Sequence, residues 1–78
     1  MPTLLLVEGF RFYFFSLEGH EPPHVHVRKG GGKAKFWLSP VELVQSRGLT
    51  KLELRRAREL TQEHAQDFLE RWKEHFRH

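Results

Sequence analysis

The segment Pro22-Pro23-His24-Val25-His26-Val27 constrains the fold more than any other part of this 78-residue chain. Each proline holds its φ angle at about −65° and disfavours helix in the residue before it, so the chain is extended here. After the prolines, polar and apolar residues alternate, which is typical of a half-buried β-strand. The segment therefore predicts a strand over His24–Lys29, with His24 and His26 on one face of a sheet.

Three further segments have the composition of strands, because they are rich in β-branched and aromatic residues and are bounded by glycine-containing turns. The strands are Thr3–Val7, Phe10–Phe15 and Lys33–Leu38, with turns at Glu8-Gly9 and Gly30–Gly32 and a loop over Ser16–Pro23. In the second strand, alternation places Phe10, Phe12 and Phe14 on one face. We expect this phenylalanine face to be the core side of the sheet.

Two helices are predicted after the strands. Ser39-Pro40-Val41-Glu42 has the residues of a helix start, with Ser as the cap and Pro in the first turn, and Gly48 ends this short helix. Thr50-Lys51-Leu52-Glu53 repeats the capping pattern, and nothing interrupts a second helix from Lys51 to about Phe76. Its apolar residues recur every three or four positions, so this long helix should cover the phenylalanine face.

These elements predict an α+β fold, a four-stranded antiparallel β-meander packed on one face by a short helix and a long C-terminal helix (ββββαα). The length and the lack of a linker predict a single domain over residues 1–78, whose small core is also compatible with a homo-oligomer. The absence of cysteine excludes disulfides and thiolate metal sites. The apolar run Leu4–Val7 is too short for a signal peptide or a membrane span, so we expect a cytoplasmic protein that does not bind membranes.

The sheet face opposite the phenylalanines combines cations with rings. Its members are Arg11, Tyr13, His24, His26, Arg28, Lys33, Lys35 and Trp37. Basic side chains neutralise phosphates and rings stack on bases, so this face suits a nucleic acid, and the net charge of +3 is compatible with such a partner. The alternative is a solvated polar face, which antiparallel sheets commonly have. The lack of acidic residues on this predicted face keeps the nucleic-acid interpretation open.

His24 and His26 are the candidate chemical centre. Imidazole titrates near neutral pH, so the pair could act as acid and base in the cleavage of a phosphodiester. Lys35 or Arg28 would then stabilise the negative charge that develops on the phosphate. The sequence therefore offers a candidate site for metal-independent cleavage of RNA, with His24, His26 and Lys35 as its catalytic residues.

Two other interpretations of the histidine pair remain open. Two histidines on one strand face could ligate zinc or another divalent metal, with His20 or Glu21 as a third ligand. Alternatively, both rings are structural, pack against Tyr13 or Trp37 and bond to the backbone. The spacing of the pair does not choose between these interpretations, and the sequence indicates no cofactor other than this metal.

Basic residues also crowd the start of the predicted long helix. Lys51, Arg55 and Arg58 share one face, where positive charge opposes the helix dipole at a cost of roughly a few tenths of a kcal/mol each. This unfavourable placement indicates a contact with phosphate or with an acidic partner. The alternative is a solvated face with local charge pairs, such as Asp67 with Arg71.

Several motifs occur here in a fixed order. They are the Met-Pro-Thr start, the aromatic second strand, Pro22-Pro23-His24-x-His26, a glycine-rich turn followed by Ala34-x-Phe36, and a late helical tryptophan. In this combination the chain resembles a family of short bacterial and archaeal proteins, domain of unknown function 4160. The resemblance covers nearly the whole chain.

The resemblance implies a partner. Proteins of this family are often encoded beside a second small protein, of the domain of unknown function 2442 type, in a layout like a toxin–antitoxin operon. This implies a toxin-like or partner-bound module with His24 and His26 as its site. The leading hypothesis is a small bacterial protein that binds RNA as one half of such a pair, with His-dependent cleavage as an extension. A non-catalytic protein-interaction module and a divalent-metal domain are the alternatives.

Overall fold

The computed structural model describes residues 3–15 and 20–76 of the chain. This part of the chain forms five strands and one helix. They are β1 (Thr3–Val7), β2 (Phe10–Tyr13), β3 (His24–Lys29), β4 (Gly32–Leu38), β5 (Val41–Arg47) and α1 (Lys51–His75). The strands form one sheet in the order β1-β2-β3-β4-β5, and all neighbouring strands are antiparallel. The predicted α+β class and the meander topology are confirmed.

The first four strands follow the predicted segments closely. Glu8 and Gly9 form the turn between β1 and β2 with φ angles of 53° and 83°, and Val7 pairs with Phe10 across it. Two successive positive φ angles are typical of the tight turns that match the twist of a hairpin. β2 ends two residues earlier than predicted, at Tyr13. Of the predicted loop, residues 16–19 lie outside the described residues.

The predicted short helix after Ser39 is wrong, because Val41–Arg47 forms the fifth strand of the sheet. Ser39 and Pro40, joined by a cis peptide bond, make a hairpin turn that brings Val41 opposite Leu38. A helix cap contributes only about 1 kcal/mol, and a helix this short is marginal without burial. A strand along the open edge of β4 instead satisfies a row of backbone groups, so the non-local pairing prevails.

The prediction of the long helix is confirmed to within one residue at its end. α1 begins with the predicted capping box, in which the amide of Glu53 donates to Thr50 Oγ1 at 3.0 Å and the amide of Thr50 donates to Glu53 Oε1 at 2.9 Å. The helix lies on the phenylalanine face, where its buried residues meet those of the strands. The core contains Phe10, Phe12, Phe14, Val25, Val27, Ala34, Phe36, Leu38, Ala57, Leu60, Phe68 and Trp72. Along the described residues, no helix is long and apolar enough to cross a membrane.

An ion pair ties the first turn to the helix. Arg56 Nε donates to Glu8 Oε1 at 2.8 Å and Arg56 Nη2 donates to Glu8 Oε2 at 2.6 Å, which is the bidentate geometry favoured by guanidinium and carboxylate. The hydrogen bonds from Arg56 lower the pKa of the Glu8 carboxyl below its ordinary value. The pair therefore fixes the β1–β2 turn against the first half of α1.

Candidate functional site

The strand register places the polar side chains of the sheet in three rows that cross the strands. All eight residues that were predicted to share this face do so, and β5 adds three more. The rows are Arg11–Arg28–Lys33–Arg47, Tyr13–His26–Lys35–Gln45 and His24–Trp37–Glu42. We call this surface the polar face. Its rows arise because residues opposite each other in antiparallel strands project to the same side.

The first of these rows, which we call the cationic row, consists of Arg11, Arg28, Lys33 and Arg47 on four adjacent strands. All four side chains are exposed. Among the described residues, no carboxylate lies within 4.0 Å of any of these cations. Arg11 Nε donates to Thr3 Oγ1 at 3.0 Å, which leaves its charge uncompensated. Three strand spacings of about 4.8 Å make the row about 14 Å long.

Three rings stand beside the cationic row and form the aromatic cluster, Tyr13, Phe15 and His26. Tyr13 and His26 are stacked with their centroids 5.5 Å apart, and the rings of Phe15 and His26 pack edge to face with their centroids 4.4 Å apart. Tyr13 is buried, whereas 38% of Phe15 is exposed. Phe15 therefore offers an aromatic surface to a flat, unsaturated ring.

The aromatic cluster and three members of the cationic row, Arg28, Lys33 and Arg47, line an open concavity of about 610 Å³. Its wall contains the three rings, Arg28, Lys33 and Arg47, together with Ala34, Lys35, Gln45 and Ser46. This volume lies within the range of small-ligand sites, about 300–1,000 Å³. The concavity thus presents rings on one part of its wall and three cations on another, an arrangement that suits a base joined to a phosphate.

His24 is placed differently from His26, although the two rings lie 5.1 Å apart. His24 has no exposed surface, and its ring packs against Trp37 and against Trp72 of α1. Its Nδ1 lies 3.0 Å from the carbonyl oxygen of Pro22, so Nδ1 carries a proton and donates. His24 therefore connects the proline turn to the core, and His26 alone of the pair lines the concavity.

Lys35 carries an acidic neighbour that alternation along the strands does not predict. Its Nζ donates to Glu21 Oε1 at 2.7 Å and lies 5.1 Å from the centre of the Trp37 ring. Only 13% of the Lys35 side chain is exposed, so Glu21 compensates a charge that is partly withdrawn from water. The polar face is thus not free of acids, since Glu21 reaches it from the loop and Glu42 from β5.

The alternative metal site consisted of His20, His24 and His26. His20 is exposed in the turn before the prolines, whereas His24 is buried. Over residues 3–15 and 20–76, no three His, Asp or Glu side chains are close enough to hold a metal ion together. The donor groups that such a site requires are therefore not assembled in this part of the chain.

The helix cations Lys51, Arg55 and Arg58 lie apart from the polar face. They line a second concavity of about 260 Å³ with Leu54 and with Phe36 and Leu43 of the sheet. Phe36 is a core residue on the phenylalanine face, so this concavity, which we call the helix groove, opens on the opposite side of the sheet. The structure therefore brings Lys51, Arg55 and Arg58 together, but it does not place them beside the eight predicted residues of the polar face.

Five residues of the concavity were not predicted from the sequence as part of the site: Phe15, Ala34, Gln45, Ser46 and Arg47. Phe15 continues the alternation of Arg11 and Tyr13, and this signal could have identified it. Gln45 and Arg47 were assigned to a helix, so their place beside Lys35 and Lys33 could not be foreseen. Their contribution depends on a pairing between strands that local sequence does not encode.

The fold and the polar face define a class of small α+β proteins, in which a helix covers one face of an antiparallel sheet and cations and rings line the other. The chain belongs to the family described as a domain of unknown function, DUF4160, whose sequence model matches residues 9–73. The match runs from the turn before β2 into the last turns of α1, and it confirms the resemblance. No curated protein and no solved structure matches the chain.

Proposed function

We propose that the protein binds nucleic acid, specifically single-stranded RNA, through the polar face. The observation that carries this proposal is the cationic row, in which exposed like charges stand opposite each other on four strands. Like charges in this position destabilise a sheet. A sugar–phosphate backbone that lies across the strands would neutralise all four cations of the row. The length of the row is comparable to the distance spanned by several successive phosphates of one strand.

The aromatic cluster supports a single strand as the ligand. Bases of a single strand are free to turn out of the backbone and stack on protein rings, which a duplex prevents. Phe15 is partly exposed, packs edge to face with His26 and lines the same concavity as the cations. One nucleotide could therefore stack its base on Phe15 and place its phosphate at Arg28 or Lys33, so that it contacts both the rings and the cations of the concavity.

Fluorescence anisotropy with a labelled oligouridine of about twelve nucleotides tests the proposal. For four phosphate contacts, the logarithm of the association constant should fall against the logarithm of salt concentration with a slope of about −3. The double variant Arg28→Gln, Lys33→Gln should weaken binding about tenfold and make that slope shallower by about 1.4, because two of the four phosphate contacts are lost. The control variant Arg71→Gln, Lys73→Gln removes the same charge from α1 and should bind like the wild type. Equal losses in both variants would contradict a role for the cationic row.

The stacking contact has its own test. Phe15→Ala should weaken oligouridine binding about tenfold, since stacking of one base contributes about 1–3 kcal/mol. The salt dependence should stay unchanged, because no cation is removed. Tighter binding of an oligodeoxyuridine of the same length would replace RNA by single-stranded DNA as the ligand.

His-dependent cleavage of RNA is the second candidate function. His26 favours it, because its ring lines the concavity directly opposite Lys35 and two residues from Arg28. His24 does not, since a fully buried imidazole cannot reach a phosphodiester. Cleavage of oligouridine by the wild type that is lost in His26→Gln and kept in Lys73→Gln would support it. Intact RNA after long incubation with the wild type would leave binding as the function.

We further propose that the protein acts as one half of a toxin–antitoxin-like pair. This rests on its family membership and on the expected neighbouring small protein. Expression of the wild type alone in a bacterial host should slow growth, and the Arg28→Gln, Lys33→Gln variant at equal abundance should not. Normal growth with both would indicate the antitoxin half or a binding module outside such a pair.

A further inference from the structure

We propose that the helix groove and the outer edge of β5 form a docking site for a short, extended, acidic segment of a second protein. The segment would pair with β5 as a sixth strand and direct acidic and apolar side chains into the helix groove. This surface is separate from the polar face and does not depend on RNA binding. Three observations carry the proposal.

The first observation is the open edge of the sheet. β5 is the last strand in the sheet order, and within the described residues no strand pairs with its outer side. Only its first residue, Val41, is partly buried, and Leu43 and Val44 expose 36% and 38% of their surface. Such an edge is a template for an added strand. The irregular register near Val44 limits the paired stretch to a few residues, so the segment would be short.

The second observation is the composition of the helix groove. Its floor is apolar, formed by Leu43 and Leu54 above the fully buried Phe36, and its rim carries Lys51, Arg55 and Arg58. A floor of this kind binds aliphatic side chains by excluding water, whereas the rim selects for negative charge. Leu43 belongs to both the floor and β5, so the groove and the strand edge are one continuous surface.

The third observation is the lack of charge compensation at the rim. In the described part of the chain, Lys51 and Arg58 have no carboxylate within 4.0 Å, and Arg55 reaches only Glu59 at that limit. Lys51 and Arg55 also lie in the first turns of α1, where positive charge opposes the helix dipole. An acidic segment would reduce the repulsion among the three rim cations. Its negative charge would also compensate the unfavourable interaction of Lys51 and Arg55 with the helix dipole.

These features favour a protein segment over the other possible occupants. The rim cations suit phosphates as well as carboxylates, but RNA neither pairs with the backbone of a strand edge nor offers aliphatic side chains to an apolar floor. A second copy of the chain would bring its own three rim cations to the same place, and the chain carries a net charge of +3. An acidic, extended segment satisfies the edge, the floor and the rim together.

The experiment is a titration of uniformly ¹⁵N-labelled protein, observed by NMR, with a synthetic peptide of repeated Val-Thr-Glu-Thr units about eight residues long. Alternate residues of an extended strand face the same side, so valine and glutamate would both face the groove. We expect shifts of the amides of Leu43, Val44 and Gln45, with a dissociation constant of about 1 mM or below. The matched peptide of Val-Thr-Lys-Thr units should produce no shifts.

The rim has a matched pair of variants. Lys51→Gln, Arg55→Gln should weaken peptide binding about tenfold, and Arg71→Gln, Lys73→Gln should leave it unchanged. The proposal is overturned if no β5 amide shifts with the glutamate peptide at about 1 mM, or if both peptides bind equally. It is also overturned if oligouridine shifts the groove amides more strongly, or if the protein dimerises through β5. Loss of peptide binding with intact RNA binding would leave the proposed function standing.

Discussion

Arg28 on β3 lies directly opposite Lys33 on β4, and both side chains are exposed on the polar face. Arg11 and Arg47 extend this opposition to the strands on either side. A sheet selected for stability alone would place acidic or neutral residues opposite at least some of these cations. The row is therefore a part of the surface where like charges reduce the stability of the sheet, and it is the part where we propose that RNA binds.

Neutralising the central pair should make the protein more stable. Arg28→Gln, Lys33→Gln should raise the free energy of unfolding by about 0.2–1 kcal/mol, because the repulsion between directly opposite side chains disappears. Urea denaturation measures this change. Arg71→Gln, Lys73→Gln should not be stabilised, since it loses the ion pair of Arg71 with Asp67 at 3.3 Å. A less stable sheet variant would show that the row is not repulsive.

The two histidines should respond differently to substitution. His24→Ala removes a fully buried ring and its hydrogen bond to Pro22, so it should lower the free energy of unfolding by about 2–4 kcal/mol. His26→Ala removes a half-buried ring and should cost about 1 kcal/mol, while oligouridine binding weakens. Thermal or urea unfolding together with anisotropy separates the two effects. A His24→Ala protein as stable as the wild type would contradict the structural role of that ring.

The ion pair between Glu8 and Arg56 should make stability depend on pH. In the folded protein, the hydrogen bonds from Arg56 lower the pKa of Glu8 below 4.5, the ordinary value of a glutamate carboxyl. The stabilisation is therefore complete above pH 4.5 and is lost as pH falls through the lower, folded-state pKa. Urea unfolding of the wild type and Glu8→Gln should differ most at near-neutral pH, and the difference should shrink in acid. A difference that stays constant with pH would exclude this ion pair as its cause.

The glycines of the β3–β4 hairpin should differ in their tolerance of a side chain. A Cβ at Gly32 would lie 2.7 Å from the backbone oxygen of Gly48 and 2.6 Å from Leu49 Cδ2, whereas a Cβ at Gly31 meets nothing within 4 Å. Gly32→Ala should therefore lower the free energy of unfolding by about 1–3 kcal/mol, because backbone has to move. Gly31→Ala is the matched control and should change it little. Similar losses in both, measured by thermal unfolding, would contradict the close packing at Gly32.

Much of the fold could be predicted because it depends on local signals. Alternation identifies three strands, the apolar segment Thr3–Val7 identifies a fourth, and the capping box of Thr50 and Glu53 marks the start of α1. Short turns between antiparallel neighbours also set the register of the strands, and the register determines which side chains lie on the same face of the sheet. For this reason the eight predicted residues of the polar face were brought together as expected.

The failures share one physical cause, since each depends on contacts between residues distant in the sequence. The segment after Ser39 carries local helix signals, but the open edge of β4 turns it into a strand and brings Arg47 into the cationic row. Its alternation is too irregular to outweigh Ser39 and Pro40 as a local signal. The ion pair of Glu21 with Lys35 likewise joins a loop to a strand across the sheet.

The sequence by itself determined four strands and the long helix, the core face of the sheet and most of the residue types of the polar face, because side-chain period and turn chemistry act within a few residues. The tertiary structure alone decided which of those residues are accessible. It buried His24 under Trp37 and Trp72 and left His26 in the concavity, although both stand on the same side of one strand. Burial depends on what packs above a side chain, and here that includes Trp72, which lies in a helix much further along the chain.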